Sequence, residues 1–223
     1  MRQIFIILAL SLVAFAANAQ TQRKAYITEN ENYLKRMAQF QHNPIEKNKI
    51  VFLGNSLTQN GKWDEYFPVQ KPVNRGIAGD NTDGMLARID EIIDSRPTKL
   101  FIMGGINDIS QDKVLDSIIC NLETILKEVL IKSPKTKVYI QSVLPINNDY
   151  KRYMRLSGKE GKVPELNSKI LAMSKKYKVT FINLYPLFLN TKKQLDVKYT
   201  NDGLHLNSDG YIVWCQALQK YIE

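Results

Sequence analysis

The sequence predicts an α/β fold: a three-layer α/β/α sandwich around a five-stranded parallel sheet with strand order 2-1-3-4-5. Three observations lead there. Short apolar runs alternate with stretches of helical periodicity, the pattern of a parallel sheet covered on both faces. The strand candidates are apolar throughout rather than alternating, as strands buried on both faces are. Finally, three polar motifs fall just past the ends of the first three strands, where open sheets of this kind place their ligands.

The elements follow in order. Residues 22–43 are rich in charge and predict an exposed helix packed on the domain. Lys49-Ile50-Val51-Phe52-Leu53-Gly54 is an apolar run ending in glycine, the first strand; Val73 to Ile77 is a shorter second. Thr82 to Ser95 carries Met85, Leu86, Ile89, Ile92 and Ile93 at helical spacing, with Pro97 closing the helix. Lys99 to Gly104 is the third strand, and Asp112 to Ile131 a long amphipathic helix. Lys137 to Leu144, stopped by Pro145, is the fourth strand. Pro164 to Tyr177 is a helix with proline in its first turn, and Val179 to Leu184 the fifth strand. Ser208 to Tyr221 closes the chain as a helix with Ser208 as N-cap. The strand order this implies is the flavodoxin-like one.

The first residues read as a leader rather than as fold. Met1-Arg2 is a small positive start, and Ile4 to Ala17 is apolar but shorter than the about 20 residues a membrane span needs. Ala17-Asn18-Ala19 is a small-residue cleavage site before Gln20. Residues 1–19 are thus expected to be a signal peptide and 20–223 one domain, periplasmic or secreted, with no stable membrane insertion once the leader is removed. The formal charge is +9. Its lysines are scattered, and an exported protein meets little nucleic acid, so nucleic acid is not expected as a partner. Cys120 and Cys215 each fall on an apolar helical stripe, and their helices belong to opposite faces of the sheet; two free buried thiols are expected. There are two histidines, His42 and His205, and no Cys/His cluster with metal spacing. No cofactor is expected, and oligomeric state is left open.

Four motifs carry the chemistry: Gly54-Asn55-Ser56-Leu57-Thr58, Asn74-Arg75-Gly76-Ile77-Ala78-Gly79-Asp80, Gly104-Gly105-Ile106-Asn107-Asp108, and Asp202-Gly203-Leu204-His205. They supply a nucleophile, a base with its orienter, and donors for an oxyanion. Ser56 follows a strand and a glycine turn, at the start of a helix. His205 can take its proton through Nε2, and Asp202 can hold Nδ1–H. The Gly79 amide is unobstructed by any side chain, the Asn107 side-chain NH2 can aim at the same point, and the Ser56 amide adds a third donor. Asp80 and Asp108 are expected to brace loops.

On these four blocks the chain resembles the SGNH hydrolase superfamily, also called the GDSL esterase/lipase family, over nearly the whole mature domain. The resemblance implies Ser56 as nucleophile, Asp202 and His205 as the rest of the triad, and Ser56, Gly79 and Asn107 as the oxyanion hole. The family's first block usually reads Gly-Asp-Ser; here Asn55 stands for the aspartate, keeping shape and acceptor capacity but not charge. That variant, with Trp63, Tyr66, Phe67, Pro68 and the run Gln141 to Asn147, resembles the branch of platelet-activating-factor acetylhydrolase-like and carbohydrate esterases. A Gly-x-Ser-x-Gly elbow is absent, which disfavours the α/β-hydrolase fold.

Trp63 and Tyr66 could flank a leaving group or pack a short helix. The segment Asn147–Lys162 carries Lys151, Arg152, Arg155, Lys159 and Lys162; it is either a solvated loop or a place where Arg152 or Arg155 grips a sugar carboxylate. The resemblance implies a serine esterase acting on a short acyl ester, O-acetyl above all, of a small molecule or glycan such as sialic acid. The alternatives are a lysophospholipase or thioesterase for longer chains, and a glycan-binding protein without turnover.

Overall fold

The computed structural model describes residues 27–223; the expected leader and the start of the charged N-terminal segment lie outside them. Five strands, β1 (Ile50–Gly54), β2 (Val73–Gly76), β3 (Lys99–Met103), β4 (Lys137–Gln141) and β5 (Thr180–Ile182), form one sheet in the order β2-β1-β3-β4-β5. Every pairing is parallel. Gly54 lies opposite Gly76 on one side and Met103 on the other, so the first three strands end level. Their following loops open on one rim of the sheet.

Nine α-helices are present among the described residues: α1 (Glu31–His42), α2 (Ser56–Gln59), α3 (Trp63–Tyr66), α4 (Thr82–Ala87), α5 (Ile89–Asp94), α6 (Ile106–Ser110), α7 (Leu115–Lys132), α8 (Lys162–Tyr177) and α9 (Ser208–Ile222). Side chains alternate across the strands. Val51, Leu53, Leu100, Ile102, Val138 and Ile140 face a core shared with α4, α5, α7 and α8. Phe52, Phe101, Met103 and Ile182 face a second core with α9 and the segment around α3. There Trp63, Phe52, Phe101 and Tyr139 stack in a row with centroids 4.4, 4.7 and 4.6 Å apart, and Trp214 closes edge-on to Trp63 at 5.0 Å. Such ring pairs add about 0.5–1.5 kcal/mol each beyond the area they bury.

The element boundaries differ from the sequence reading where a side chain has a competing task. The helix expected over Thr82–Ser95 divides at Arg88, whose φ of −120° leaves the helical region. Its guanidinium is spent on Asp80 and on the carbonyls of Arg75 and Gly54. The long helix begins at Leu115 rather than Asp112, which sits at φ 57° in the left-handed region. α9 is capped by Asn207, whose side chain accepts from Gly210 N–H, and not by Ser208. β4 and β5 are shorter than expected, because Ser142 turns its hydroxyl to the N–H groups of Leu184 and Tyr185 and ends the ladder. Both cysteines are free, with Cys120 on the α7 side of the sheet and Cys215 on the α9 side. Cys215 is buried, and burial pushes its thiol up to about 12. Cys120, expected to be buried, is exposed: Ile118, Leu122 and Ile125 take the core-facing side of α7 and turn it outward.

Candidate active site

Ser56 is the first residue of α2, with Asn55 alone between it and the end of β1. Asn55 caps that helix: its Oδ1 accepts from Leu57 N–H at 3.0 Å. The bracing expected of the usual aspartate is therefore made by the uncharged amide. Asn55 is buried and Ser56 half-buried, so the turn presents the hydroxyl at the rim while hiding its support.

His205 arrives from the far end of the chain. Its Nε2 lies 2.9 Å from Ser56 Oγ, and its Nδ1 lies 2.8 Å from Asp202 Oδ2. With Nδ1 protonated toward the carboxylate, Nε2 is the acceptor for the serine proton. Asp202 and His205 share one tight turn. Asp202 Oδ1 accepts the backbone N–H of Leu204 at 2.9 Å and of His205 at 2.7 Å. Thr200 clips the same turn: its hydroxyl donates to the His205 carbonyl at 2.7 Å and accepts from Gly203 N–H at 2.9 Å. Gly203 sits at φ +84°, and a Cβ there would stand 2.2 Å from the Asn147 carbonyl, so only glycine fits.

Burial alone would raise the Asp202 carboxyl. The hydrogen bonds from the His205 ring, from the His205 and Leu204 amides and from Tyr153 outweigh it and hold the group well below the usual carboxylate range. Asp202 thus stays ionised beside the His205 ring.

The residues expected to supply donors for an oxyanion lie on two further segments. Gly79 lies exposed after β2 at φ +82°, and a Cβ there would meet no heavy atom within 4 Å; glycine is required by the backbone, and the space beside it is open. Asn107, on α6, donates from Nδ2 to the Asp80 carbonyl at 2.7 Å. An amide NH2 carries two hydrogens, so this bond anchors the side chain and leaves one donor to spend. The loop carrying Gly79 is held from three sides. Gln59 Oε1 accepts from Ala78 N–H at 2.7 Å. Asp80 Oδ2 takes both Arg88 Nε and Nη2, at 3.0 and 2.8 Å. Asp80 N–H bonds the Ile77 carbonyl.

Asp80 and Asp108 are fully buried and brace loops, as expected. Burial pushes the Asp80 carboxyl up to about 6 against the pull of Arg88. Its Oδ1 has no hydrogen-bond partner among the described residues, which is consistent with that rise. Asp108 accepts Thr82 N–H and, at 2.6 Å, the Thr82 hydroxyl, and lies 3.3 Å from Lys113 Nζ.

The remaining sequence candidates separate. Trp63 is not at the site. It is 1 % exposed, stacked on Phe52, with Nε1 donating to the Thr58 carbonyl; its apolar area is worth more in the core than at the rim. Arg152 and Arg155 are both exposed in the segment before α8, and the Arg152 guanidinium is close enough to the Tyr153 hydroxyl to influence it. Tyr153, Thr200 and Arg88 were not singled out in the sequence. The side-chain partners of Tyr153 and Arg88 lie up to 52 and 34 positions away, in segments whose meeting no local pattern announces, and Thr200 bonds within its own turn.

Comparison with known proteins bears on the family and the fold. Residues 52–213 match the model of the GDSL-like Lipase/Acylhydrolase family. A platelet-activating factor acetylhydrolase IB subunit alpha1 from Bos taurus is 26 % identical over 180 residues, covering 78 % of this chain and 75 % of that protein. A GDSL-like lipase structure from Bacteroides thetaiotaomicron superposes with a TM-score of 0.73 at 26 % identity, over 84 % of this chain and 96 % of the other. An acetyl xylan esterase structure shares the fold at a TM-score of 0.66 and 18 % identity, over 78 % and 100 % of the two chains. With the matched segment running from the strand before Ser56 through the turn that carries His205, the chain belongs to the GDSL-like lipase/acylhydrolase family.

Proposed function

We propose that this acylhydrolase is an exported serine esterase that removes short acyl groups, O-acetyl above all, from carbohydrates. The observation that carries the reading is the continuous Ser56–His205–Asp202 chain, with contacts of 2.9 and 2.8 Å. Ser56 Oγ attacks the ester carbonyl while His205 Nε2 takes its proton. The negative charge that forms on the carbonyl oxygen is met by the Ser56 and Gly79 amides and the Asn107 side chain. The bond to the sugar oxygen then breaks, and the sugar alcohol leaves with the proton from Nε2. Water attacks the acyl-serine, gives its proton to Nε2, and the bond to Oγ breaks; the acid is released and Ser56 regains its proton. Every one of these roles is filled by a side chain or amide of this chain, and no cofactor enters the scheme.

The preference for acetyl draws on the related acetylhydrolase subunit and, more distantly, on the fold shared with an acetyl xylan esterase. Arg152 favours an acidic sugar such as sialic acid, since its exposed guanidinium lies beside the Asp202–His205 pair's neighbour Tyr153 and can bind a carboxylate bidentately. Export rests on the leader-like residues 1–19.

The test is acetate release from O-acetylated sialic acid and from acetylated xylan fragments, wild type beside Ser56→Ala. Release that disappears in the variant is the expected result, with the two sugars ranked by rate. Cleavage of p-nitrophenyl acetate alone would keep the serine chemistry and discard the carbohydrate. A rate that peaks at octanoyl or longer esters would move the substrate to lysophospholipid or thioester. Folded protein that cleaves none of these would instead be a binding protein.

A further inference from the structure

Tyr153 lies between two short 3₁₀ turns, Asn148–Tyr150 and Met154–Leu156, in the segment joining β4 to α8. Its hydroxyl donates to Asp202 Oδ2 at 2.8 Å, the same oxygen that receives the His205 ring, and stands 3.0 Å from Nδ1 itself. The two rings meet edge to face with centroids 5.6 Å apart. We infer that Tyr153 is a positioning residue of the hydrolytic triad, its hydroxyl bridging Asp202 and His205 so that the imidazole is held with Nδ1 inward and Nε2 toward Ser56. This rests on the serine esterase reading above.

The argument is one of donor and acceptor counts. Asp202 Oδ1 is occupied by the Leu204 and His205 amides, and Oδ2 by the His205 ring and the phenol. The phenol gives its single proton to the carboxylate, so its oxygen faces Nδ1–H as a second acceptor. A ring turned over about Cβ–Cγ would present Cδ2–H to geometry built for Nδ1–H and Cε1–H to Ser56, taking the acceptor away from the hydroxyl. The phenol is a suitable part for this. Burial and the Asp202 carboxylate push it up to about 12, so it remains a neutral donor through the whole working range.

The segment that carries Tyr153 is itself fixed. Leu156, buried, donates its N–H to the Tyr153 carbonyl at 2.8 Å. Asn148 donates to the Leu156 carbonyl and to Glu160. Lys159 pairs with Asp112 at 2.7 Å across to the loop after α6. Asn147 N–H bonds the Gly203 carbonyl at 2.8 Å, joining the start of the segment to the Asp202–His205 turn. Tyr153 therefore meets the triad from a braced loop.

The test is Tyr153→Phe, which removes one oxygen and keeps the ring, measured on p-nitrophenyl acetate in wild-type and Asp202→Asn backgrounds. In the wild-type background kcat is expected to fall about tenfold, the worth of one net hydrogen bond, with KM unchanged. In the Asp202→Asn background the same substitution is expected to cost clearly less, because the carboxylate it bridges to His205 is gone. Unchanged kcat in the first background, or an equal loss in both, would overturn the inference in favour of simple packing. Turnover that survives Ser56→Ala would sink the triad reading itself; turnover that needs Ser56 yet ignores Tyr153→Phe would sink this inference alone.

Discussion

Asp202 shows how much of a carboxylate's behaviour is set by the groups converging on it. Two amides, a ring and a phenol converge on its two oxygens, and together they hold the carboxyl below the 3.8 of the unfolded chain. A depressed carboxyl contributes stability that is fully present above its unfolded value and lost as pH falls toward its folded one. The stability gap between wild type and Asp202→Asn should therefore stay level from about pH 8 to about pH 5 and close only below about 3.8. Denaturant titrations of both proteins at stepped pH would show it. The three residues that meet as Ser56, His205 and Asp202 were legible in the sequence, because Ser56 and the Asp202–His205 turn sit in short motifs at strand and loop positions. Trp63 was ambiguous because a tryptophan beside the nucleophile reads alike as a substrate wall or a core ring; the stacked row from Phe52 to Tyr139 decides it. Tyr153 was invisible, since nothing near residue 153 in the chain indicates a partner at 202.

At the scale of elements, the order of the five strands and the alternation with helices followed from apolar runs alone, while helix boundaries failed wherever a polar side chain had a distant obligation. Arg88 is the clearest case. Periodicity carries one helix through it, yet its guanidinium joins the end of β1, the end of β2 and the loop bearing Gly79, and the helix divides there. Arg88→Met should strand the fully buried Asp80 and cost about 3–5 kcal/mol, read as a lower denaturation midpoint at neutral pH. Burial already holds Asp80 up to about 6 with Arg88 opposing, so removing the arginine lifts it further. A raised carboxyl favours the fold below its unfolded value, and that support is lost as pH rises through the folded one. The variant should accordingly lose more stability than wild type between about pH 5 and pH 8. Arg88→Lys should not restore it, because an ammonium cannot span three acceptors as a planar fork does.

For the whole molecule, the two-sided sheet explains why the cysteines remain apart, with α7 and α9 on opposite layers. It also separates their reactivity. A thiol reagent added to the folded protein should modify Cys120 at once and Cys215 only on unfolding, read as one and then two equivalents released. The sequence placed both thiols on apolar stripes, which was correct for Cys215; on a helix of 18 residues a stripe read from hydrophobicity drifts, and Cys120 lies beyond its edge.

The Ser56–His205 contact joins residues 149 positions apart, with four strands of the sheet between them in the chain. Ester hydrolysis thus reports on long-range closure. A folding intermediate can assemble β1, β2 and β3 and align Ser56, Gly79 and Asn107, yet on the proposed mechanism it holds a nucleophile without a base until the last turn docks. In a refolding experiment the return of turnover should trail the return of helical signal, making activity a late clock for this chain and keeping its reactive serine quiet until the fold is finished.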